Sequence, residues 1–266
     1  MISFHRLDRY NRGGKLCLDT MLTNPWLVAI LLNTVLLGIA AIAPKKLLTR
    51  MGYLHAWVLG VIVWGSLGWR GYLIVLFYFL VGSTVTRIGL ARKEAEGIAE
   101  KRAGVRGPEN VWGSALAGAI CAILSLFAAS PWDYLLILAY VASFSTKLAD
   151  TTASEVGKAY GKTTYLITNF KSVPRGTEGA VSLEGTIAGL LAATAISLLA
   201  WAIGAIDLLG VLWCVIAAFI ATNIESLIGA TLQTRFLWLT NELVNVINTV
   251  IGAIVAILLS LLWSFR

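Results

Sequence analysis

Long apolar runs alternate with short polar connections along almost the whole chain. Runs close to the roughly 20 residues that cross a bilayer fall at 26–43, 53–68, 72–89, 111–129, 132–148, 182–204, 208–232 and 243–264. Helices are expected in each, because open strands would leave backbone groups unpaired in hydrocarbon. The pattern therefore predicts an all-α, polytopic transmembrane bundle of about eight spans. A polar tail over 1–25 precedes a single transmembrane domain over 26–266. The tail does not read as a signal peptide: it is polar, and the first apolar run ends in Ala-Pro-Lys-Lys without a cleavage pattern.

Composition agrees. Of the 266 residues, 58% are hydrophobic and 13% charged, against roughly 25% charged in soluble domains, and mean hydropathy is +0.80. An integral membrane protein is implied. Cys17, Cys121 and Cys214 make no disulfide framework, and two histidines, His5 and His55, offer no zinc cluster. The formal charge of +7 is unevenly placed. Most Lys and Arg fall on one set of alternate connections, which the positive-inside rule makes cytoplasmic, with both termini outside. The basic tail, with Arg6, Arg9, Arg12 and Lys15, opposes that orientation.

Two connections are long, 87–110 and 147–181, and both lie on the basic side. Long connections are commonly functional. The span ends around them are polar: Ser83, Thr86 and Arg87; Asn110; Ser145, Lys147 and Asp150; Ser182 and Glu184; Asn223, Glu225 and Ser226; Asn241, Glu242, Asn245 and Asn248. Such groups are costly at membrane depth and mark a functional site by default. Helix capping and interhelical hydrogen bonding are the structural alternative. Asn241, Asn245 and Asn248 share one helical face, as do Asp150, Ser154 and Lys158 if the fifth helix continues past the surface. Glu155 then lies about 140° round from Asp150, so the two carboxylates share an ion only through unwinding or a bridging water or phosphate.

The stretch 150–179 combines acidic residues (Asp150, Glu155, Glu178) with basic ones (Lys158, Lys162, Lys171, Arg175) in a loop rich in Gly, Thr and Ser. Carboxylates suit Mg2+, which keeps several waters and takes one or two carboxylates plus phosphate oxygens. Lysine and arginine suit the phosphates themselves. Gly176 and Gly179 flank Thr177 and Glu178 in a turn whose backbone N–H groups can approach an anion. A near match to a phosphate-binding loop ends at Gly161-Lys162-Thr163, but Val156 occupies its first glycine position and no strand precedes it. That argues against a soluble-type nucleotide fold and for a nucleotide site built on membrane helix ends, and no Ser–His–Asp arrangement is available.

The blocks GSTVTRIGLARKEAEGIAEKRAG (82–104), LADTTASEVGK (148–158), VPRGTEGAVSLEGT (173–186), ESLIGATLQ (225–233) and TNELVNVINT (240–249) resemble the multi-span membrane family that includes the phytyl-phosphate kinase of photosynthetic organisms. The resemblance implies a catalytic transmembrane domain that transfers a phosphoryl group from CTP to phytyl monophosphate. The product is phytyl diphosphate for tocopherol and phylloquinone synthesis. It also adds Arg87, Lys93 and Gln233 to the binding residues. A looser similarity reaches the membrane enzymes that make CDP-diacylglycerol or phosphorylate dolichol. Asp150 and Glu178 sit at acidic positions of that signature, with Lys171 and Thr177 near its basic and hydroxyl ones. The expected serine-proline pair is replaced by Ser172-Val173-Pro174.

The expected site therefore has Asp150, Glu155 and Glu178 on Mg2+, and Lys158, Lys171 and Arg175 on phosphates. Arg87, Lys93, Asn110, Ser154, Thr177, Ser182, Glu225, Gln233, Asn241, Asn245 and Asn248 complete the substrate and nucleotide contacts. Partners are CTP, a prenyl monophosphate and the lipid bilayer, with no nucleic acid. The expected location is a bacterial inner or thylakoid membrane, or a plastid envelope. A cytidylyltransferase or another prenyl-phosphate kinase are alternatives. From another class, an anionic lipid transporter would bind nearer the midplane, between repeats.

Overall fold

The computed structural model describes residues 24–44, 46–233 and 235–264. The polar tail to residue 23, with His5 and Cys17, lies outside the described residues. Helix α1 (Pro25–Ile42) starts where Asn24 Oδ1 accepts the Trp26 N–H at 2.9 Å and Pro25 needs no partner for a missing donor. Helix α2 (Arg50–Thr86) follows, broken at Gly68, whose φ of 63° and ψ of −156° leave the helical region. Only glycine adopts that conformation readily, and the chain doubles back there. The rings of Trp64 and Tyr72 come within 5.3 Å. Gly60 and the Tyr72 hydroxyl both reach the buried Asn33 of α1. Gly52 and Gly82, from the two ends of α2, both pack on Arg106.

A short helix α3 (Leu90–Ala95) and a 3-10 turn (Lys101–Gly104) occupy the first long connection. Then come α4 (Pro108–Ser125), α5 (Trp132–Tyr160), strands β1 (Thr164–Leu166) and β2 (Ala180–Ser182), α6 (Leu183–Ala202), α7 (Leu208–Ile228) and α8 (Asn241–Ser264). A π turn (Gly229–Gln233) extends α7. The strands pair antiparallel with Thr164 opposite Ser182, the one sheet among the described residues, beside isolated bridges at Leu48–Arg106 and Tyr165–Ser172.

Helix α5 is the axis of the bundle. Every residue over 138–150 is buried, and α2, α4, α6, α7 and α8 pack around it. Small residues let the backbones close, as van der Waals packing between membrane helices requires. A Cβ on Gly118 would strike Phe144, one on Gly189 the Ala149 carbonyl, and one on Gly252 the Thr146 hydroxyl. Large apolar side chains point outward instead, among them Leu31, Val35 and Ile39 on α1, Leu191 and Leu198 on α6, and Ile254, Leu258 and Leu262 on α8.

Among the described residues five helices have the length and hydropathy of a membrane span: Pro25–Ile42, Arg50–Thr86, Leu183–Ala202, Leu208–Gln233 and Asn241–Ser264. The eight runs of the sequence do not all meet that standard. Runs two and three fall within α2. Helices α4 and α5 carry glycine and serine on faces buried in the bundle, and α5 adds buried charge at Lys147 and Asp150, while Leu116, Ile120 and Leu124 of α4 remain exposed.

Candidate functional site

The helix ends named in the sequence converge. A cavity of about 220 Å³ opens where the C-terminal ends of α2, α5 and α7 meet the N-terminal ends of α4, α6 and α8, roofed by the second long connection. Of the expected residues, Asn110, Asp150, Ser154, Glu155, Lys158, Thr177, Glu178, Ser182, Glu225, Asn241 and Asn245 line it. Among the described residues its walls carry six carboxylates (Glu100, Asp150, Glu155, Glu178, Glu225, Glu242) and three cations (Arg106, Lys147, Lys158).

Helix α5 supplies the floor. It stays helical to Tyr160, so Asp150 and Glu155 diverge to different neighbours. Lys147 Nζ donates to Asp150 Oδ2 at 2.6 Å and to Asn245 Oδ1 at 2.7 Å, joining α5 to α8. The pair is nearly enclosed, with side-chain exposures of 9% and 10%. Asp150 and Glu178 each lie close enough to Glu225 for their charges to interact. Glu155 instead accepts from Lys93 Nζ, which is wholly buried and also donates to the Thr86 carbonyl at 2.8 Å. Lys158 Nζ stands 4.0 Å from Glu155. Lys93 thus fastens the first long connection to α5 behind the cavity wall.

Other expected residues are placed elsewhere. Arg87 and Lys171 are exposed and do not line the cavity. Arg175 Nη2 pairs with Glu96 Oε1 at 2.8 Å, tying the two long connections together. Gln233 Nε2 donates to Asn241 Oδ1 at 2.5 Å. Ser182 caps α6, its Oγ accepting the Gly185 N–H at 3.1 Å. Asn110 accepts from the Gly107 N–H and from Arg102. Asn248 is fully buried, and neither its amide oxygen nor its nitrogen has a partner among the described residues. The asparagine stripe therefore divides, with Asn241 and Asn245 at the cavity and Asn248 within the bundle.

Two cavity cations escaped the expected set. Lys147 stood among the polar helix ends with no chemical role, and Arg106, in the first long connection, was not among the expected contacts. Tyr78, Ser114 and Thr222 also line the cavity. Their only signal was a polar residue amid apolar neighbours. Arg106 meets Tyr78 across 28 positions of sequence, a contact that no local spacing encodes.

Among the described residues no three Asp, Glu, His or Cys side chains are gathered tightly enough to cage a metal. The donor chemistry still fits a hard cation held partly by a substrate: magnesium needs only one or two carboxylates when phosphate oxygens complete its shell. Asp150, Glu178 and Glu225 offer oxygen donors at one cavity, and Glu155 is committed to Lys93.

Residues 33–253 match the family described as integral membrane protein DUF92. An uncharacterized membrane protein of Synechocystis sp. is 66% identical over 88% of this chain and 90% of its own length. Protein VTE6, chloroplastic, of Arabidopsis thaliana is 49% identical over 80% of this chain and 65% of its own length. An uncharacterized membrane protein of Methanocaldococcus jannaschii is 31% identical over 91% of this chain and 97% of its own length. No solved structure matches. A buried polar chamber at the ends of lipid-facing helices, in a chain matched over most of its length, makes this a multi-pass member of the DUF92 family of integral membrane proteins, the family that the five motif blocks resemble.

Proposed function

We propose that the chain is a CTP-dependent kinase of phytyl monophosphate, working at the cytoplasmic face of a photosynthetic or bacterial membrane. The observation that carries this reading is the surplus of carboxylate over cation in the cavity at the helix ends. A bare polyphosphate would be repelled there, whereas a polyphosphate bound with a divalent cation complements it. The resemblance of the five motif blocks to the phytyl-phosphate kinase family supports the prenyl substrate. The reversal at Gly68 supports two crossings within α2, and with α4 and α5 the crossings number eight.

In this reading the cavity positions two phosphates. Phosphoryl transfer depends on alignment and charge stabilisation rather than covalent help from protein. Asp150, Glu178 and Glu225 would hold Mg2+, which when bound would neutralise the developing charge on the transferred group. Lys158 contacts the nucleotide phosphates, and Lys147 stays with Asp150 to fix its orientation. Asn241 and Asn245 orient the acceptor. The acceptor phosphate oxygen is already nucleophilic near neutral pH, so no side chain needs a strongly shifted proton affinity.

The test is incubation of the purified protein with Mg2+, phytyl monophosphate and CTP labelled at either the α or the γ phosphorus. Label from the γ position in a lipid diphosphate, with CDP released, is the expected result. Label from the α position in lipid, with free pyrophosphate, identifies a cytidylyltransferase. No labelled lipid from either contradicts both.

A further inference from the structure

Arg106 differs from every other cation at the cavity. Lys147 has Asp150, Lys158 stands by Glu155, and Lys93 behind the wall is paired with Glu155. Among the described residues, no carboxylate lies within ion-pair distance of the Arg106 guanidinium. Its side-chain partner is the Tyr78 hydroxyl, to which Nη1 donates at 2.9 Å. A guanidinium carries five N–H donors, so most of this fork remains available, and it lines the chamber.

The position is built rather than incidental. The Arg106 backbone is clamped on both sides: its N–H donates to the Leu47 carbonyl and its carbonyl accepts the Thr49 N–H, each at 3.0 Å. The guanidinium lies over the rings of Tyr78 and Phe79, 5.2 and 5.6 Å from their centroids. A Cβ on Gly82 would fall 2.8 Å from Nη2, so the glycine leaves the space that the fork fills. Aromatic faces stabilise the cation modestly and hold it flat without quenching its donors. A fixed, uncompensated guanidinium in a cavity suits bidentate contact with a phosphate.

We propose that Arg106 is an oxyanion receptor of this cavity, gripping a phosphate group supplied either by a nucleotide or by a lipid monophosphate. This rests on the proposed phosphoryl-transfer reading for its ligand class. It adds to the first long connection, where the sequence had placed Arg87 and Lys93, a phosphate contact on a side chain that lines the cavity.

Binding of inorganic pyrophosphate with Mg2+, and of farnesyl monophosphate, is measured by calorimetry on the full chain in detergent. Wild type is compared with Arg106→Gln, Arg106→Lys and the exposed control Arg102→Ala. Arg106→Gln is expected to weaken at least one probe roughly tenfold or more, as for lost hydrogen bonds to a charged group, and the probe affected names the source of the phosphate. Arg106→Lys should fall between, and Arg102→Ala should match wild type. Should Arg106→Gln not fold, Arg106→Lys decides, with a loss of about threefold expected from the missing fork. Arg106→Gln affinities within about twofold of wild type for both probes, or wild type binding neither, overturn the assignment. Arg106-dependent binding without phosphoryl transfer would refute the kinase reading and leave this one standing, and transfer indifferent to Arg106 would do the reverse.

Discussion

The two ends of the bundle use the same residue types for opposite purposes. At the end where α5 begins, Asp207 caps α7, its Oδ1 accepting the Gly210 N–H at 2.6 Å and the Tyr134 hydroxyl at 2.9 Å. The carboxylate closes one helix and ties it to another. At the end where α5 finishes, capping by Ser182 and Asn110 is also present, but six carboxylates face three cations around an open cavity. A polar residue at a helix end is therefore weak grounds for a site. Charge of one sign left over after the caps and pairs are accounted for is stronger.

That contrast can be broken or sharpened by substitution. The largest effect is expected at the buried clamp: Glu155→Gln strands Lys93, and removing one partner of a buried ion pair costs about 3–5 kcal/mol. Melting in detergent should fall steeply and recover in the Glu155→Gln/Lys93→Met double variant. An unchanged melting temperature for the single variant would free Glu155 for a metal. Asp150→Asn acts next, on turnover, where loss of one transition-state charge contact costs roughly a hundred- to a thousandfold. At the far end, Asp207→Ala removes a cap worth about 1 kcal/mol and should lower the melting temperature with turnover within about twofold. A collapse of turnover there would erase the difference between the two ends. Smallest of all, Lys171→Ala should shift the KM for CTP by less than about twofold, because exposed charge contacts contribute little. A large rise would return the second connection to the phosphate site.

Hydropathy located the helices well because lipid-facing side chains must be apolar whatever they pack against. It could not rank them. Helix α5 looks like one span among several, yet its polar residues, Ser143 to Asp150, are tolerated because they lie at the centre of the bundle. The site was legible as a set of helix ends, since Asp150, Glu225 and Asn245 stand out against apolar neighbours. Its pairing was not. Lys93 and Glu155 are 62 positions apart and Arg175 and Glu96 are 79 apart, so which charges cancel depends on tertiary packing. The expected cations Lys171 and Arg175 failed to reach the cavity for the same reason: a loop's composition fixes its charge, not its direction.

The most direct test separates a catalytic Asp150 from one that merely balances Lys147. Turnover and melting temperature are measured for Asp150→Asn, Lys147→Met and the double variant, in the labelled CTP reaction with phytyl monophosphate. Removing the stranded lysine should restore the stability that Asp150→Asn loses, and turnover should stay at the level of the Asp150→Asn single variant. Turnover that returns together with stability would show that the pair is structural and that the chamber at these helix ends does not depend on Asp150 for its chemistry.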